Sequence, residues 1–399
     1  MVNGFDEVIE RKNTNSEKYD FSEEFGGDAQ AIPMWVADMD FRAPKEVVAA
    51  VTQKAAYGIW GYSEAKDGYY KNIISWFNKR HNWETQKEWI VKTPGVIFAI
   101  SAAIRAFTKP GEAVMIQQPV YHPFATCITE SGRKLVDNSL VNNNGRYEID
   151  FPKMEKQMQE ERVKLLLFCS PHNPVGRVWS REELLKVAEL CLKYRVFLIS
   201  DEIHCDFLYP GQVHIPFAAL SEKIAANCMV CTAPSKTFNL AGVQVSNIFV
   251  PDAERRKAVK RELYLTGYQE LNVFALTACQ AAYQYGGVWL DELLLYLQGN
   301  ISALREFLQN RLSMIKMTEP EGTYLVWLDF TEFCRKHGMD ENALMQFLLK
   351  EAHIWLSPGS GFGEEKGCFM RMNLACPKSV LMQALEQLEE AVKRKMGRE

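Results

Sequence analysis

The middle of the chain alternates short apolar runs with longer amphipathic segments. Short apolar runs rich in β-branched side chains predict buried strands, and the segments between them predict helices. One helix is predicted over residues 97–107, and another begins after Ser180, which forms a capping-box pattern with Glu183. Strands are predicted at residues 88–92, 113–117, 164–169, 196–200, 227–233 and 246–250. Because these runs are almost continuously apolar, we expect a large, mostly parallel α/β sheet with both faces covered.

The two ends of the chain have a different pattern. Near the N-terminus, "IPMWVADMDF" predicts an extended stretch. From about residue 289 a long helix precedes two predicted strands, in "GTYLVWLDF" and "CFMRMNLA", and a final amphipathic helix is predicted over residues 379–395. We therefore expect a small α+β domain built from residues 1–48 and 289–399, and a large domain of residues 49–288.

Composition narrows the class of protein. The 399 residues are 47% apolar and 24% charged, which is ordinary for a soluble globular chain of two or three domains. A formal charge of −4 supplies no basic face, and no apolar run is long enough to span a bilayer, so we expect neither nucleic acid nor membrane as a partner. The polar N-terminus lacks a secretory core, and ten scattered cysteines favour a reducing, cytoplasmic location.

One pair of cysteines has the spacing of a metal or redox site. Cys228 and Cys231 form a C-x-x-C pattern, but both lie inside a predicted strand. Positions three apart in a strand face opposite sides of the sheet. No second Cys or His pair with finger-like spacing accompanies them, so we expect no metal site.

Unusual residues follow the predicted strands directly. The segments concerned are "TPGV", "QPVYHP", "SPHNPVG", "DEIHCD" and "PSK". In open α/β sheets, ligands bind in the crevice outside the carboxyl ends of the strands. Because all five segments lie at such ends, the natural inference is that they form one site.

The residue types in these segments match the parts of one cofactor. A partly desolvated Lys236 is a plausible Schiff-base nucleophile, and the hydroxyl of Ser235 suits a phosphate. The amide groups that follow "TPGV", at a helix N-terminus, also suit an anion. Asp201 can hold a heterocyclic nitrogen protonated, Asn173 can donate to a phenolate-like oxygen, and Tyr121 can stack on a flat ring. A phosphate, a ring nitrogen to protonate, a phenolate-like ring oxygen and an aldehyde that reacts with lysine are all groups of pyridoxal 5′-phosphate.

A bland interpretation competes with each of these assignments. An Asn-Pro pair is more often a plain turn, an acid after a strand is more often a helix cap, and a Ser-Lys pair is usually on the surface. The order of the five segments and their shared placement at strand ends are harder to obtain by accident. The combination therefore favours a site over five unrelated structural features.

Four segments of the chain show a family resemblance: "SPHNPVG", "SDEIHCDF", "APSKTFNLAG" and "RMNLACP". The series resembles fold-type I pyridoxal-phosphate enzymes of the aminotransferase class I/II superfamily, and more narrowly the MalY/PatB-type C–S β-lyases, often called cystathionine β-lyases. The likeness extends from residues 35–41 to residues 371–377. It implies an aspartate aminotransferase-like fold, pyridoxal 5′-phosphate as cofactor, and a homodimer with shared active sites. In this branch "VADMDF" lines the substrate entrance.

The resemblance also implies a role for individual residues. Lys236 is implied to be the Schiff-base lysine and the base that takes the Cα proton, and Asp201 to pair with the pyridine nitrogen. Tyr121 is implied to be a catalytic residue that stacks on the ring and contacts the substrate. Asn173 is implied to bond O3′ and to contact the substrate. The phosphate is implied to be held by Ser235 and by the backbone of Gly95, Val96 and Ile97.

Four more positions follow from the same resemblance. Tyr62, in "WGYSEAKDG", is implied to reach the phosphate of the neighbouring subunit, and Arg371 to clamp the substrate α-carboxylate, a bidentate task. His204, expected at the cofactor, stands where many aminotransferases carry Tyr, and Gln244 where many carry a phosphate-binding Arg. Both departures fit the C–S lyase branch and leave open which groups complete the phosphate and O3′ contacts.

The activity implied is α,β-elimination from a sulfur amino acid. L-cystathionine, L-cysteine or related cysteine S-conjugates would yield a thiol or hydrogen sulfide, pyruvate and ammonia. Transamination is the alternative, because both routes use the same lysine and differ in where the proton returns. A mainly regulatory binding role is a third interpretation, against which the complete set of site residues argues.

Overall fold

The computed structural model describes residues 4–364 and 366–397. Its strands are β1 Ile32–Pro33, β2 Ile90–Thr93, β3 Ala113–Ile116, β4 Lys134–Asp137, β5 Val141–Asn143, β6 Arg146–Glu148, β7 Leu165–Cys169, β8 Phe197–Asp201, β9 Cys228–Thr232, β10 Ser246–Phe249, β11 Lys316–Met317, β12 Leu325–Asp329, β13 Ile354–Trp355, β14 Ser357–Pro358 and β15 Phe369–Asn373. Its α-helices are α1 Glu17–Asp20, α2 Lys45–Tyr57, α3 Asp67–His81, α4 Val96–Phe107, α5 Pro123–Glu130, α6 Phe151–Glu160, α7 Arg181–Tyr194, α8 Glu222–Ala225, α9 Pro234–Thr237, α10 Ala253–Leu265, α11 Val273–Tyr285, α12 Gly287–Arg311, α13 Thr331–Lys336, α14 Glu341–Lys350 and α15 Lys378–Met396.

A seven-stranded sheet in the order β2-β10-β9-β8-β7-β3-β4 forms the centre of the molecule. Strands β9, β8, β7, β3 and β4 are parallel, whereas β10 runs antiparallel to both of its neighbours. The prediction of a large, mostly parallel sheet is therefore confirmed. The parallel strands bring their carboxyl ends to one edge, which positions the loops that follow them.

Strands β3, β7, β8 and β9 bury both of their faces, as their nearly continuous apolar sequences require. Along β7, Leu166 and Phe168 pack into one hydrophobic cluster, and Leu165 and Leu167 into another on the opposite face. The same alternation separates Cys228 from Cys231, which lie in different clusters. The prediction that these two cysteines face opposite sides of the sheet is confirmed.

Helices cover both faces of the sheet. Helix α4 buries Ala99, Ile100 and Ala103 against one face, where it also contacts α10. Helix α7 packs against the other face and begins with the predicted capping box, in which Ser180 and Glu183 bond each other's backbone amides. The long helix expected from residue 289 begins at Gly287, and the final helix spans Lys378–Met396.

A second, antiparallel sheet in the order β11-β12-β15-β14 is built from the C-terminal part of the chain. The N-terminal segment joins this part because β1 pairs with β13. The division into domains at residues 48 and 289 stays a prediction. Within the part of the chain that the structure describes, no helix is both long and apolar enough to cross a bilayer.

Candidate active site

Lys236 lies in the short helix α9, which directly follows strand β9. Its Nζ donates a hydrogen bond to the backbone carbonyl of Ala37 at 2.7 Å. Burial, with a smaller contribution from the positive charge of Arg371, lowers the pKa of Lys236 to about 8. Part of the amine is therefore unprotonated near neutral pH, which suits a nucleophile or a base.

Asp201 is the last residue of β8, in register with Cys169 of β7 and Cys231 of β9. Its side chain is buried, and the backbone N–H of Ile203 donates to it at 3.1 Å. Burial raises the pKa of Asp201 to about 7, against the weaker effects of this hydrogen bond and of Lys236. A cationic partner would stabilise the ionised form and lower that pKa.

His204 follows Asp201 closely in sequence and is 3% exposed. Its Nδ1 is buried without a hydrogen-bond partner. Burial, with the positive charges of Lys236 and Arg371, lowers the pKa of His204 to about 3, so the imidazole is neutral. A neutral ring with an unsatisfied nitrogen is suited to contact a ligand.

Arg371, in the middle of β15, is 6% exposed. Its Nη1 donates to Oδ1 of Asn173 at 3.2 Å, and its Nη2 donates to the carbonyl of Trp35 at 2.8 Å. Its Nε is buried without a partner. The structure thus brings Arg371 and Asn173 together from the two sheets, with part of the guanidinium available to an anion.

The start of helix α4 forms a cradle of backbone groups. Gly95 is the N-cap residue, and no side chain caps this end of the helix. The amides of Val96 and Ile97, like the first amides of any helix, have no intrahelical acceptor. Space beside Gly95 is open, since an added Cβ would meet no atom within 4 Å. Such an end favours an anion, and Ser235 is the second residue of α9.

Tyr121 follows β3 and lies close enough to Asp201 and Arg371 for their charges to act on its hydroxyl. Burial raises the pKa of Tyr121 above its ordinary value, so the hydroxyl is protonated. Tyr62, by contrast, is fully exposed, and Gln244 is exposed at a φ of 58°. Neither of these two is drawn into the set of buried side chains around Lys236.

The sequence did not predict that backbone carbonyls of residues 35–41 contact the side chains of the site directly. Carbonyl groups of this segment accept from Arg371, at Trp35, and from Lys236, at Ala37. Tyr324 also donates to Ala37, at 2.8 Å. The resemblance placed this segment only at the substrate entrance. Backbone acceptors leave no residue-type signal, so nothing in the sequence marks them.

Three side chains of types that can bind a metal lie next to α9. The ligand-type atoms of His81, Cys205 and Asp206 are within 4.8 Å of one another. The carboxylate of Asp206 already bonds the ring of His81 at 2.9 Å and accepts from Thr237 at 2.8 Å. The expectation of no metal stays a prediction.

The fold and this arrangement define the class of protein. The chain belongs to the aminotransferase class I and II family, whose model matches residues 32–388. It is 42% identical to cystathionine beta-lyase PatB of Bacillus subtilis (97% of this chain, 99% of that protein). It is 32% identical to protein MalY of Escherichia coli (98% of each). Cystalysin of Treponema denticola, which contains a pyridoxal 5′-phosphate cofactor, is 38% identical with a TM-score of 0.94 (99% of this chain, 100% of that one). The predicted resemblance and fold are confirmed.

Proposed function

We propose that this protein is a pyridoxal-phosphate-dependent C–S β-lyase. It cleaves L-cystathionine, L-cysteine or related cysteine S-conjugates to a thiol or hydrogen sulfide, pyruvate and ammonia. The observation that carries this proposal is the amine of Lys236, with its pKa of about 8, set among Asp201, Asn173 and Arg371. Relatives named cystathionine β-lyase favour this activity over simple transamination.

The residues of the site fit pyridoxal 5′-phosphate. Asp201 is buried without a cationic hydrogen-bond partner among the described residues, which suits a protonated ring nitrogen. His204 has a buried, unsatisfied Nδ1 where a flat polar ring would supply a partner. The open space beside Gly95 and the hydroxyl of Ser235 would hold the phosphate, and Tyr121 would stack on the ring.

Once bound, the cofactor supplies an electron sink for the bonds broken at the substrate Cα and Cβ. The protein's own residues do the rest. Arg371 binds the α-carboxylate through its fork of N–H groups and so orients Cα. Lys236, as the free amine, removes the proton from Cα, and the resulting ammonium donates to the Ala37 carbonyl. Asp201, ionised opposite a cation, keeps the ring nitrogen protonated.

Transamination is the second candidate, because Lys236 could equally transfer the proton that it takes from Cα to the cofactor. In that route the C–S bond survives and no pyruvate accumulates from L-cystathionine. The two routes share every residue named above. The relatives named for C–S cleavage are the reason that elimination is preferred.

A homodimer with shared active sites is part of the proposal. Tyr62 is fully exposed, and Tyr57, Ile59 and Trp60 close to it are also largely exposed. Large apolar side chains grouped in this way suit burial against another subunit. In that arrangement Tyr62 would reach the phosphate of the partner subunit. We also propose a cytoplasmic location, which the ten unpaired cysteines support.

The proposal is tested by incubating the purified, cofactor-loaded protein with L-cystathionine in the absence of any keto-acid acceptor. Pyruvate and thiol are expected to accumulate together over many turnovers. The Lys236→Ala variant is expected to form neither, whereas Lys223→Ala, at an exposed position, is expected to match wild type. A single equivalent of pyridoxamine phosphate without pyruvate would identify an aminotransferase instead.

A further inference from the structure

Two side chains distant in sequence share one backbone acceptor at the site. The carbonyl oxygen of Ala37 accepts from Nζ of Lys236 at 2.7 Å and from the hydroxyl of Tyr324 at 2.8 Å. A carbonyl oxygen has two lone pairs, so both donors can be accommodated. A change in the hydrogen bond from Tyr324 therefore alters the hydrogen bond from Lys236, because both use the same oxygen.

The shared acceptor is held in place from both sides. Asn373, two residues after Arg371 on β15, donates to the carbonyls of Val36 and Asp38 at 2.6 Å each. Further along, Asn239 exchanges hydrogen bonds with the backbone of Met39. The Ala37 carbonyl thus cannot turn away from Lys236 without breaking several other hydrogen bonds.

Tyr324 is fixed as a donor toward this oxygen. Its side chain is 1% exposed and packs edge-on against Phe207. Burial, with the nearby charge of Asp38, raises the pKa of Tyr324 well above its usual value, so the hydroxyl keeps its proton. The preceding residue, Thr323, adopts a φ of 69°, which is costly for a β-branched residue. Such strain persists where the surrounding structure determines the conformation.

We propose that Tyr324 is a positioning residue for the reaction. By sharing the Ala37 oxygen, Tyr324 weakens the hydrogen bond that this carbonyl makes with the ammonium form of Lys236. The hydroxyl hydrogen carries partial positive charge and draws on the same oxygen, so it opposes a second positive donor. Lys236 therefore returns to the free amine more readily. The use of that amine as the base at Cα rests on the proposed function; the effect of Tyr324 on the amine does not.

Other groups also act on Lys236, and a change at Tyr324 leaves them in place. Burial is the largest influence and disfavours the ammonium form, as does the positive charge of Arg371. The charged groups that favour the ammonium form are Asp38, Asp201 and Glu17, and the neutral His204 also lies within reach of the Lys236 charge. Removing only the hydroxyl of Tyr324 therefore isolates its contribution.

The test measures the amine itself in the full-length protein after the cofactor has been removed. Wild type and Tyr324→Phe are treated with limiting acetic anhydride over a pH series that brackets the pKa of Lys236. Acetylation of the peptide that carries Lys236 is then quantified by mass spectrometry against an exposed lysine, Lys223. In Tyr324→Phe the midpoint is expected to rise by about 0.5 pH unit, or roughly threefold less reactive amine below it.

The matched control is Tyr209→Phe. Tyr209 is also a buried tyrosine whose hydroxyl donates to a backbone carbonyl, that of Thr323, at 2.6 Å. Its loss removes the same atom without touching the Ala37 oxygen, so the Lys236 midpoint is expected to stay unchanged. An unchanged midpoint in Tyr324→Phe, or equal shifts in both variants, would overturn the proposal.

A second substitution keeps the packing and reverses the sign. Replacing Tyr324 with 3-fluorotyrosine retains the ring and makes the hydroxyl a stronger donor, so the Lys236 midpoint is expected to fall. In the cofactor-loaded enzyme the acid limb of kcat is expected to move in the same direction as the midpoint. A rise with 3-fluorotyrosine would contradict the proposal, whichever sulfur amino acid the enzyme prefers.

Discussion

Asp201 and Asp206 lie on one segment of the chain and are equally buried, yet their surroundings differ. The carboxylate of Asp206 bonds Trp76 at 3.1 Å, His81 at 2.9 Å and Thr237 at 2.8 Å. Among the described residues, Asp201 accepts from one backbone amide, that of Ile203. Burial raises the pKa of either carboxyl group, but at Asp206 the hydrogen bonds outweigh burial and the pKa lies below its usual value.

The comparison separates two uses of a buried charge. Asp206 is satisfied within the protein, and through Thr237 it anchors the helix that carries Lys236. Asp201 keeps a raised pKa of about 7 because burial outweighs the weaker effects of the Ile203 amide and of Lys236. Buried polar groups without partners are rare and call for an explanation. Nε of Arg371 is such a group, and under the proposed function it and the carboxylate of Asp201 are available to a ligand.

The largest expected effect is on activity at Asp201. Asp201→Ala is expected to lower kcat for pyruvate formation by about 10³-fold, because the ring nitrogen loses the carboxylate that keeps it protonated. The variant is expected to remain folded, so that the loss of activity does not come from unfolding. Steady-state kinetics with L-cystathionine and a denaturant titration check the two halves. Activity within tenfold of wild type would place Asp201 outside the reaction.

Asp206 is expected to behave in the opposite way. Asp206→Ala leaves the buried donors of Trp76, His81 and Thr237 unsatisfied, which is expected to cost about 3 kcal/mol of unfolding free energy. Asp291→Ala, which removes an exposed partner of Arg80, is the control and is expected to cost under about 0.5 kcal/mol. Equal losses in urea denaturation would show that the Asp206 cluster is not stabilising.

Arg371 sharpens the comparison because its Nε is buried without a hydrogen-bond partner. Lysine cannot form the two parallel hydrogen bonds that a guanidinium makes with a carboxylate. Arg371→Lys is expected to lower kcat/KM by about 10²-fold, mainly through KM. A fall confined to kcat, with KM unchanged, would argue against a role in binding the α-carboxylate.

The smallest expected effect is a gain in stability that depends on pH. The folded protein holds a proton on Asp201 up to a pKa of about 7, against 3.8 in the unfolded chain, so stability falls as the pH rises between these values. In protein freed of cofactor, Asp201→Asn is therefore expected to be more stable than wild type by about 2 kcal/mol near pH 8. The gain should vanish toward pH 4; a gain independent of pH would refute this origin.

Much of the large sheet could be predicted from sequence, because buried parallel strands are continuously apolar. The run at residues 164–169 became Leu165–Cys169, and the run at residues 196–200 became Phe197–Asp201. The strand expected from residue 88 begins only at Ile90, after a turn of 3-10 helix. Strand β4 was missed because it lies at the sheet edge and carries charged residues at its ends.

The site was predictable where topology alone collects the residues. Asp201 ends parallel strand β8 and Lys236 follows parallel strand β9, so their meeting follows from the order of the strands. The Ala37 carbonyl and Tyr324 were not predictable, because a backbone oxygen can belong to any residue type. Their meeting depends on how the N-terminal segment packs beside β12 and β15, which leaves no periodic pattern in the sequence.

The central claim is that the free amine of Lys236 moves the proton at Cα. L-Alanine has no leaving group at Cβ, so its reaction should stop after proton transfer. In deuterium oxide, the cofactor-loaded enzyme is expected to exchange the Cα proton of L-alanine for deuterium, as followed by NMR, whereas Lys236→Ala is expected to leave it in place. Exchange by Lys236→Ala at the wild-type rate would contradict the account.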